Sequence, residues 1–284
     1  MWNAIAAAIS ASLQLPVTLA TPRSVGGGSI NRACRVESDA GPFFVKLNQA
    51  RRLPMFEAEA QGLLQLAEGA RVPRPICHGV AGEHAFLVLE WLDLQPRGDD
   101  AALGNMLAGL HRITRPRHGW DIDNTIGSTP QSNAWCDDWI AFWREQRLLP
   151  QLALAARNGH VLRDTTSLLE RFPVLFTGYT PLPSCLHGDL WSGNVGFLTD
   201  GAPVLFDPAC YFGDRETDLA MSELFGGFGP RFRAAYDAAW PLDPGYPRRR
   251  ALYQLYHLLN HLNLFGDGYL AAAQGALDQV VAVT

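Results

Sequence analysis

The segment from Leu186 to Asp207 constrains this chain more than any other, because it fixes the order and spacing of three oxygen-bearing side chains around two short apolar runs. Cys185-Leu186 leads into His187-Gly188-Asp189-Leu190-Trp191-Ser192-Gly193-Asn194, and Val204-Leu205-Phe206 then delivers Asp207. Asp, Gly and Asn are common turn residues, so His187-Gly188-Asp189 alone would read equally well as a bend in which Asp189 caps a helix. An amide at a fixed offset from that carboxylate, and a second carboxylate ending the next strand, are more than a turn requires.

Around this loop the chain changes character. The first ninety residues read as strand-rich. An Ala-rich helical stretch over 2–13 is followed by a polar passage, the run Gly26-Gly27-Gly28, and an alternating segment ending Phe43-Phe44-Val45-Lys46-Leu47. After a loop containing Pro54, residues 56–66 repeat apolar positions at helical spacing, and Ala85-Phe86-Leu87-Val88-Leu89 reads as a short buried strand. From about residue 98 helical spacing dominates, over 101–113, 135–157 and 247–265. The pattern predicts an α+β chain of two lobes: a β-rich lobe over 1–90 and a mostly helical lobe over 91–284 that holds the loop. A hinge near 90–94 would border a cleft between them.

With 284 residues, 48% of them hydrophobic, the chain can bury a substantial core. Its net charge is −5 and its longest basic cluster is Arg248-Arg249-Arg250, so it carries no electrostatic footprint for nucleic acid. The start, Met1-Trp2-Asn3-Ala4-Ile5, lacks the positive region of a signal peptide, and no apolar run approaches the roughly 18 residues of a membrane span. Cys34, Cys77, Cys136, Cys185 and Cys210 show neither a CxxC pair nor metal spacing, as expected of reduced thiols. A soluble cytoplasmic protein, without nucleic-acid or membrane partners, is expected.

Of 23 basic residues only Lys46 is a lysine, and it lies in an apolar strand. Phosphoryl transfer would use all of these groups, and Asp189 and Asn194 have the D-x-x-x-x-N spacing of a kinase catalytic loop. Asp189 would take the proton of an acceptor hydroxyl, while Asn194 and Asp207 would hold hard Mg²⁺ against the phosphates of ATP. Lys46 would reach those phosphates, held by Glu59 on the following helix. Glu57 is a rival partner, but Leu63 and Leu66, four and seven residues later, place Glu59 at the edge of the helix's buried face. The run Gly26-Gly27-Gly28-Ser29 is weaker evidence, since such a run is more often a flexible turn than a loop whose amides approach phosphates. Its place in strand-like sequence ahead of Lys46 favours the second reading.

With these residues assembled, the chain resembles the fructosamine (ketosamine) kinases, a branch of the aminoglycoside-phosphotransferase-like kinases with a protein-kinase-like two-lobe fold. The match is carried by His187–Asn194, by Asp207-Pro208-Ala209 and the stretch from Gly213 to Met221, by Gly119-Trp120, Ile126-Gly127, Gln131, Asn133, Trp139 and Arg147-Leu148, and by Tyr256–His261. It covers nearly the whole chain. Trp191 and the passage from Ile126 to Asn133 favour this branch over its relatives.

The resemblance implies ATP- and Mg²⁺-dependent phosphorylation of ketoamines on a sugar hydroxyl, at the 3 position in the better-known members. The ketoamine, formed when a reducing sugar condenses with an amine and rearranges, would be a small molecule or part of a protein, as in deglycation. Asp189 is implied as proton acceptor, Asn194 and Asp207 as metal ligands, and Lys46 with Glu59 as phosphate clamp. Glu90, Trp91 and Leu92 are placed at the hinge, where backbone groups would pair with adenine. Asp218 is implied as a structural aspartate that accepts backbone N–H bonds from the loop.

Trp191 would either stack on the sugar or pack under the loop, and His187 reads as a loop brace rather than a base. A monomer or weak homodimer is expected. The competing readings are a related kinase acting on an aminoglycoside, a choline-like amine or another alcohol, and a non-catalytic kinase-like binding protein. Proteins of the latter kind commonly lose one of the catalytic groups, and here none is missing.

Overall fold

The protein is described by a computed structural model over residues 1–26 and 30–283, so Gly27, Gly28 and Ser29 lie outside the described residues. The chain begins with helix α1 (Trp2–Leu13). Strands β1 (Arg23–Val25), β2 (Arg32–Val36) and β3 (Phe43–Gln49) follow, then helix α2 (Leu53–Leu66) and strands β4 (Pro75–Ala81) and β5 (His84–Glu90). The five strands form one antiparallel sheet in the order β1-β2-β3-β5-β4. Pro54 sits in the first turn of α2 rather than in a loop, where its missing N–H leaves no helical bond unmade.

The two-residue alternation of β3 decides which way its lysine faces. Phe43, Val45 and Leu47 pack with Ile5 and Ile9 of α1 and with Phe86 and Val88 of β5. Lys46, between Val45 and Leu47, must therefore face the opposite side of the sheet. That side is covered by α2, whose Met55, Phe56, Leu63 and Leu66 join Leu87 and Leu89 in the main core. Register orients the cleft: Phe43 pairs with Glu90 and Gln49 with His84, so β3 starts beside the hinge and ends away from it.

The remainder is mostly helical: α3 (Asp100–His111), α4 (Trp139–Trp143), α5 (Leu149–Arg157), α6 (Thr165–Arg171), α7 (Glu216–Ser222), α8 (Pro230–Ala239), α9 (Tyr246–Phe265) and α10 (Leu270–Val283). The helical stretch expected over 135–157 starts at Trp139, where Asp138 accepts the N–H of Ala141 at 2.6 Å as an N-cap. It also contains a π-turn at Arg144–Leu148 between α4 and α5. Among the described residues, three short antiparallel strand pairs interrupt the helices. Strand β6 (Asn124–Ile126) pairs with β7 (Thr129–Gln131), β8 (Ser184–Leu186) with β11 (Tyr211–Gly213), and β9 (Val195–Phe197) with β10 (Pro203–Leu205). Among the described residues no helix is long and apolar enough to cross a membrane.

Candidate active site

The loop between β8 and β9 is held by a buried carboxylate. Gly188 has φ +81°, and a Cβ there would lie 2.0 Å from the Ala209 carbonyl oxygen, so only glycine fits. Asp218, in α7, accepts the backbone N–H groups of His187 at 2.7 Å and Gly188 at 2.8 Å, and its Oδ2 is 3.2 Å from His111 Nε2. Burial alone would raise the Asp218 pKa, but these hydrogen bonds and the neighbouring imidazoles hold it below the ordinary carboxylate value. The His187 ring spans two segments. Its Nε2–H donates to the Phe206 carbonyl at 2.9 Å, and its Nδ1 accepts the Asp189 N–H at 3.2 Å. Those bonds fix a neutral tautomer, and burial lowers the ring's pKa further.

Asp189 and Asn194 meet inside this frame. Asn194 Nδ2 donates to the Asp189 carbonyl at 2.9 Å and to Asp189 Oδ2 at 3.2 Å. With its nitrogen spent on Asp189, Asn194 keeps its amide oxygen for a cation. Burial pushes the Asp189 carboxyl up to about 7, the Asn194 bond opposes this, and the charges of Asp207 and Asp218 add to it. Asp207 follows β10 at φ +56°, a left-handed conformation that Asp tolerates better than most side chains.

Lys46 bonds Asp207 on one side and Glu59 Oε1, at 2.5 Å, on the other. Burial works against the lysine's charge, but the carboxylates of Asp207 and Glu59 outweigh it and keep Lys46 protonated. Of the two glutamates on α2, Glu57 is exposed and Glu59 makes the contact. One turn past Glu59, a Cβ on Gly62 would lie 3.2 Å from Pro208, so a glycine lets α2 approach the segment after Asp207.

These groups border a cavity of about 730 Å³. Leu89, Glu90, Trp91 and Leu92 line its hinge end, and Gly26 and, from the sheet, Ala33 also line it. The Glu90 carboxylate itself is turned to Arg71 at 2.7 Å and to the Arg74 N–H at 3.1 Å, and the Glu90 N–H donates to the Arg74 carbonyl at 2.9 Å. Trp191 also lines the cavity. It is 39% exposed and lies over Gly193, where a Cβ would come within 2.2 Å of the indole. Among the described residues no group of three or more His, Cys, Asp or Glu side chains could hold a metal. The amide oxygen of Asn194 and the carboxylate of Asp207 form a smaller, hard-oxygen set that suits Mg²⁺ bound largely through phosphates.

Sequence reasoning assigned no role to the rest of the lining, which includes Asn124, Thr125 and Gly127 of the β6–β7 hairpin and Asn260, His261 and Phe265 of α9. The available signal was polarity inside the apolar repeat of 247–265, at Asn260 and His261. A buried network fixes Asn124: its Nδ2 donates to the Cys210 carbonyl at 2.8 Å, and its Oδ1 accepts from Gln131 at 2.8 Å and Asn133 at 2.9 Å. Arg147, carried by the π-turn, donates to Asn133 Oδ1 at 2.7 Å and stacks 4.1 Å over Tyr211.

The family model described as fructosamine kinase matches residues 1–283. A Synechocystis protein named a probable ketoamine kinase is 47% identical, covering 99% of this chain and 97% of its own. The chloroplastic protein-ribulosamine 3-kinase of Arabidopsis thaliana is 43% identical over 90% of this chain and 81% of its own. A crystal structure of a fructosamine-3-kinase candidate from Haemophilus somnus superposes with a TM-score of 0.93 at 30% identity, over 99% of this chain and 97% of that one. The aminoglycoside phosphotransferase APH(4)-Ia, at 13% identity and a TM-score of 0.62 over 99% of each chain, shares the fold. The chain is a phosphotransferase and belongs to the fructosamine kinase family.

Proposed function

We propose that the protein transfers the γ-phosphoryl group of ATP to a sugar hydroxyl of a ketoamine, at the 3 position, and does so in the cytoplasm. The observation that carries this reading is the convergence of Lys46, Asp189, Asn194 and Asp207 on one cavity, in a chain of this family. A loose phosphoryl-transfer transition state asks for alignment and charge neutralisation rather than covalent help. Asp189 accepts the proton of the attacking hydroxyl, and Lys46, steadied by Glu59, meets the phosphate oxygens. The Asn194 amide oxygen and the Asp207 carboxylate would hold Mg²⁺, which neutralises phosphate charge when bound. Backbone groups around Glu90, Trp91 and Leu92, with Gly26, would receive the nucleotide.

Charge on the acceptor side separates a ketoamine from an aminoglycoside. The acidic residues lining the cavity are Glu59, Glu90, Asp189 and Asp207. Three of them already face cations, Glu59 and Asp207 at Lys46 and Glu90 at Arg71. The hairpin and α9 contribute the neutral polar side chains Asn124, Thr125, Asn260 and His261, which suit sugar hydroxyls better than a polycation.

The test is product analysis with ATP, Mg²⁺ and either a fructose- or ribose-derived ketoamine or an aminoglycoside. A 3-phosphorylated ketoamine, formed with kcat/KM at least about a hundredfold above the aminoglycoside value, is expected. Equal or faster turnover of the aminoglycoside would move the chain to the other acceptor class.

A further inference from the structure

Beyond the phosphate clamp the cleft continues into a second pocket of about 300 Å³ that shares Ile30, Leu264 and Phe265 with the main cavity. Its other walls are Asn48, Gln49, Arg51, Arg52 and Ser128, and none of the lining residues is acidic. Register gives its location. Strand β3 starts at the hinge, with Phe43 opposite Glu90, and ends with Gln49 opposite His84. Asn48 is two residues past Lys46, about 7 Å further from the hinge. A nucleotide with its base at the hinge and its phosphates at Lys46 leaves this pocket to the molecule that receives the phosphoryl group.

We propose that this pocket is an anion subsite of the acceptor, in which Arg51 and Arg52 bind a carboxylate on the amine portion of a ketoamine whose sugar hydroxyl faces Asp189. The inference rests on the ketoamine reading and names the preferred class within it: ketoamines of free amino acids. Among the described residues neither guanidinium has a hydrogen-bond or ion-pair partner. A planar guanidinium fork matches a carboxylate in geometry as well as charge. Asn48 fixes the wall beside them, because its Nδ2 donates to Asn31 Oδ1 at 2.7 Å and to the Ile30 carbonyl at 3.3 Å, tying β3 to the segment after the glycine run. Six single bonds separate the 3-hydroxyl oxygen of an α-amino-acid ketoamine from its carboxylate carbon, so the two groups reach roughly 7 Å apart when extended.

The experiment compares the ketoamine of glycine with that of glycinamide, which differ in charge and hardly in shape, on the wild type and on the Arg51→Gln/Arg52→Gln double variant. The wild type is expected to favour the carboxylate by about tenfold in kcat/KM. The variant is expected to lose that preference through KM for the glycine ketoamine alone, with KM for ATP and turnover of the glycinamide ketoamine unchanged. Equal use of the two ketoamines by the wild type, an equal fall on both in the variant, or a raised KM for ATP would overturn the subsite while leaving ketoamine phosphorylation standing. Absence of turnover on either ketoamine by ATP-binding wild type would overturn the ketoamine reading and the subsite with it.

Discussion

Lys46 of β3 and Asp207, 161 residues later and just beyond β10, form an ion pair across the cleft. The lysine thus neutralises the carboxylate assigned to the metal. Removing the cation leaves Asp207 and Glu59 facing each other without it. We predict that Lys46→Ala lowers kcat/KM for ATP by about 10²- to 10³-fold, and that Lys46→Arg does not restore it, because a guanidinium cannot occupy a site built for a compact ammonium. Steady-state kinetics over ATP concentration checks this, and values within threefold of wild type would contradict the clamp.

Two glycines near the loop should respond differently to the same substitution. In Gly188→Ala the new methyl meets backbone, the Ala209 carbonyl, at a positive φ, with no flexible neighbour to give way. A loss of about 3 kcal/mol or more of stability is expected, read as a fall in the urea midpoint. In Gly193→Ala the methyl meets the Trp191 ring, a side chain rather than backbone and 39% exposed. That variant should keep its stability within about 1 kcal/mol and change KM for the acceptor, and equal destabilisation of the two variants would contradict the distinction.

Buried neutral histidines link stability to pH. Burial lowers His118 from 6.5 to about 4, against the opposing charges of Asp138 and Asp137, and lowers His257 to about 3. The unfolded chain protonates these rings near 6.5 and the folded chain does so only lower. Their contribution is therefore fully present above about pH 6.5 and is lost as pH falls towards 4, by up to about 3 kcal/mol for His118. We predict that the stability gap between wild type and His118→Asn shrinks as pH drops from 7.5 to 4.5. Urea midpoints at both values measure it, and a constant gap would show that His118 does not titrate differently on folding.

The sequence made Lys46 legible twice, as the one lysine of the chain and by its place in an alternating strand. Glu59 was legible because helical spacing sets it with Leu63 and Leu66. Asp189, Asn194 and Asp207 were legible because their spacing is local. What stayed hidden depends on chain segments meeting from far apart. Helical periodicity in α9 marked a buried face but could not say that Asn260 and His261 would border the same cavity as a lysine on β3. The π-turn at Arg144–Leu148 was invisible for a different reason: one extra residue per turn shifts a helix's facing without altering its composition. Pro54 was read as a loop breaker because a proline is neutral only in a helix's first turn, and that boundary was not evident.

The central claim is that Asp189 accepts the proton of a ketoamine hydroxyl, and the most direct measurement is ketoamine-dependent ADP formation by the wild type and Asp189→Asn, alongside ATP affinity by calorimetry. Asparagine preserves the shape and removes the basic oxygen. We predict that kcat falls by at least about 10²- to 10⁴-fold while the Kd for ATP stays within about threefold. Turnover within tenfold of wild type in the variant, with ATP binding intact, would contradict the assignment.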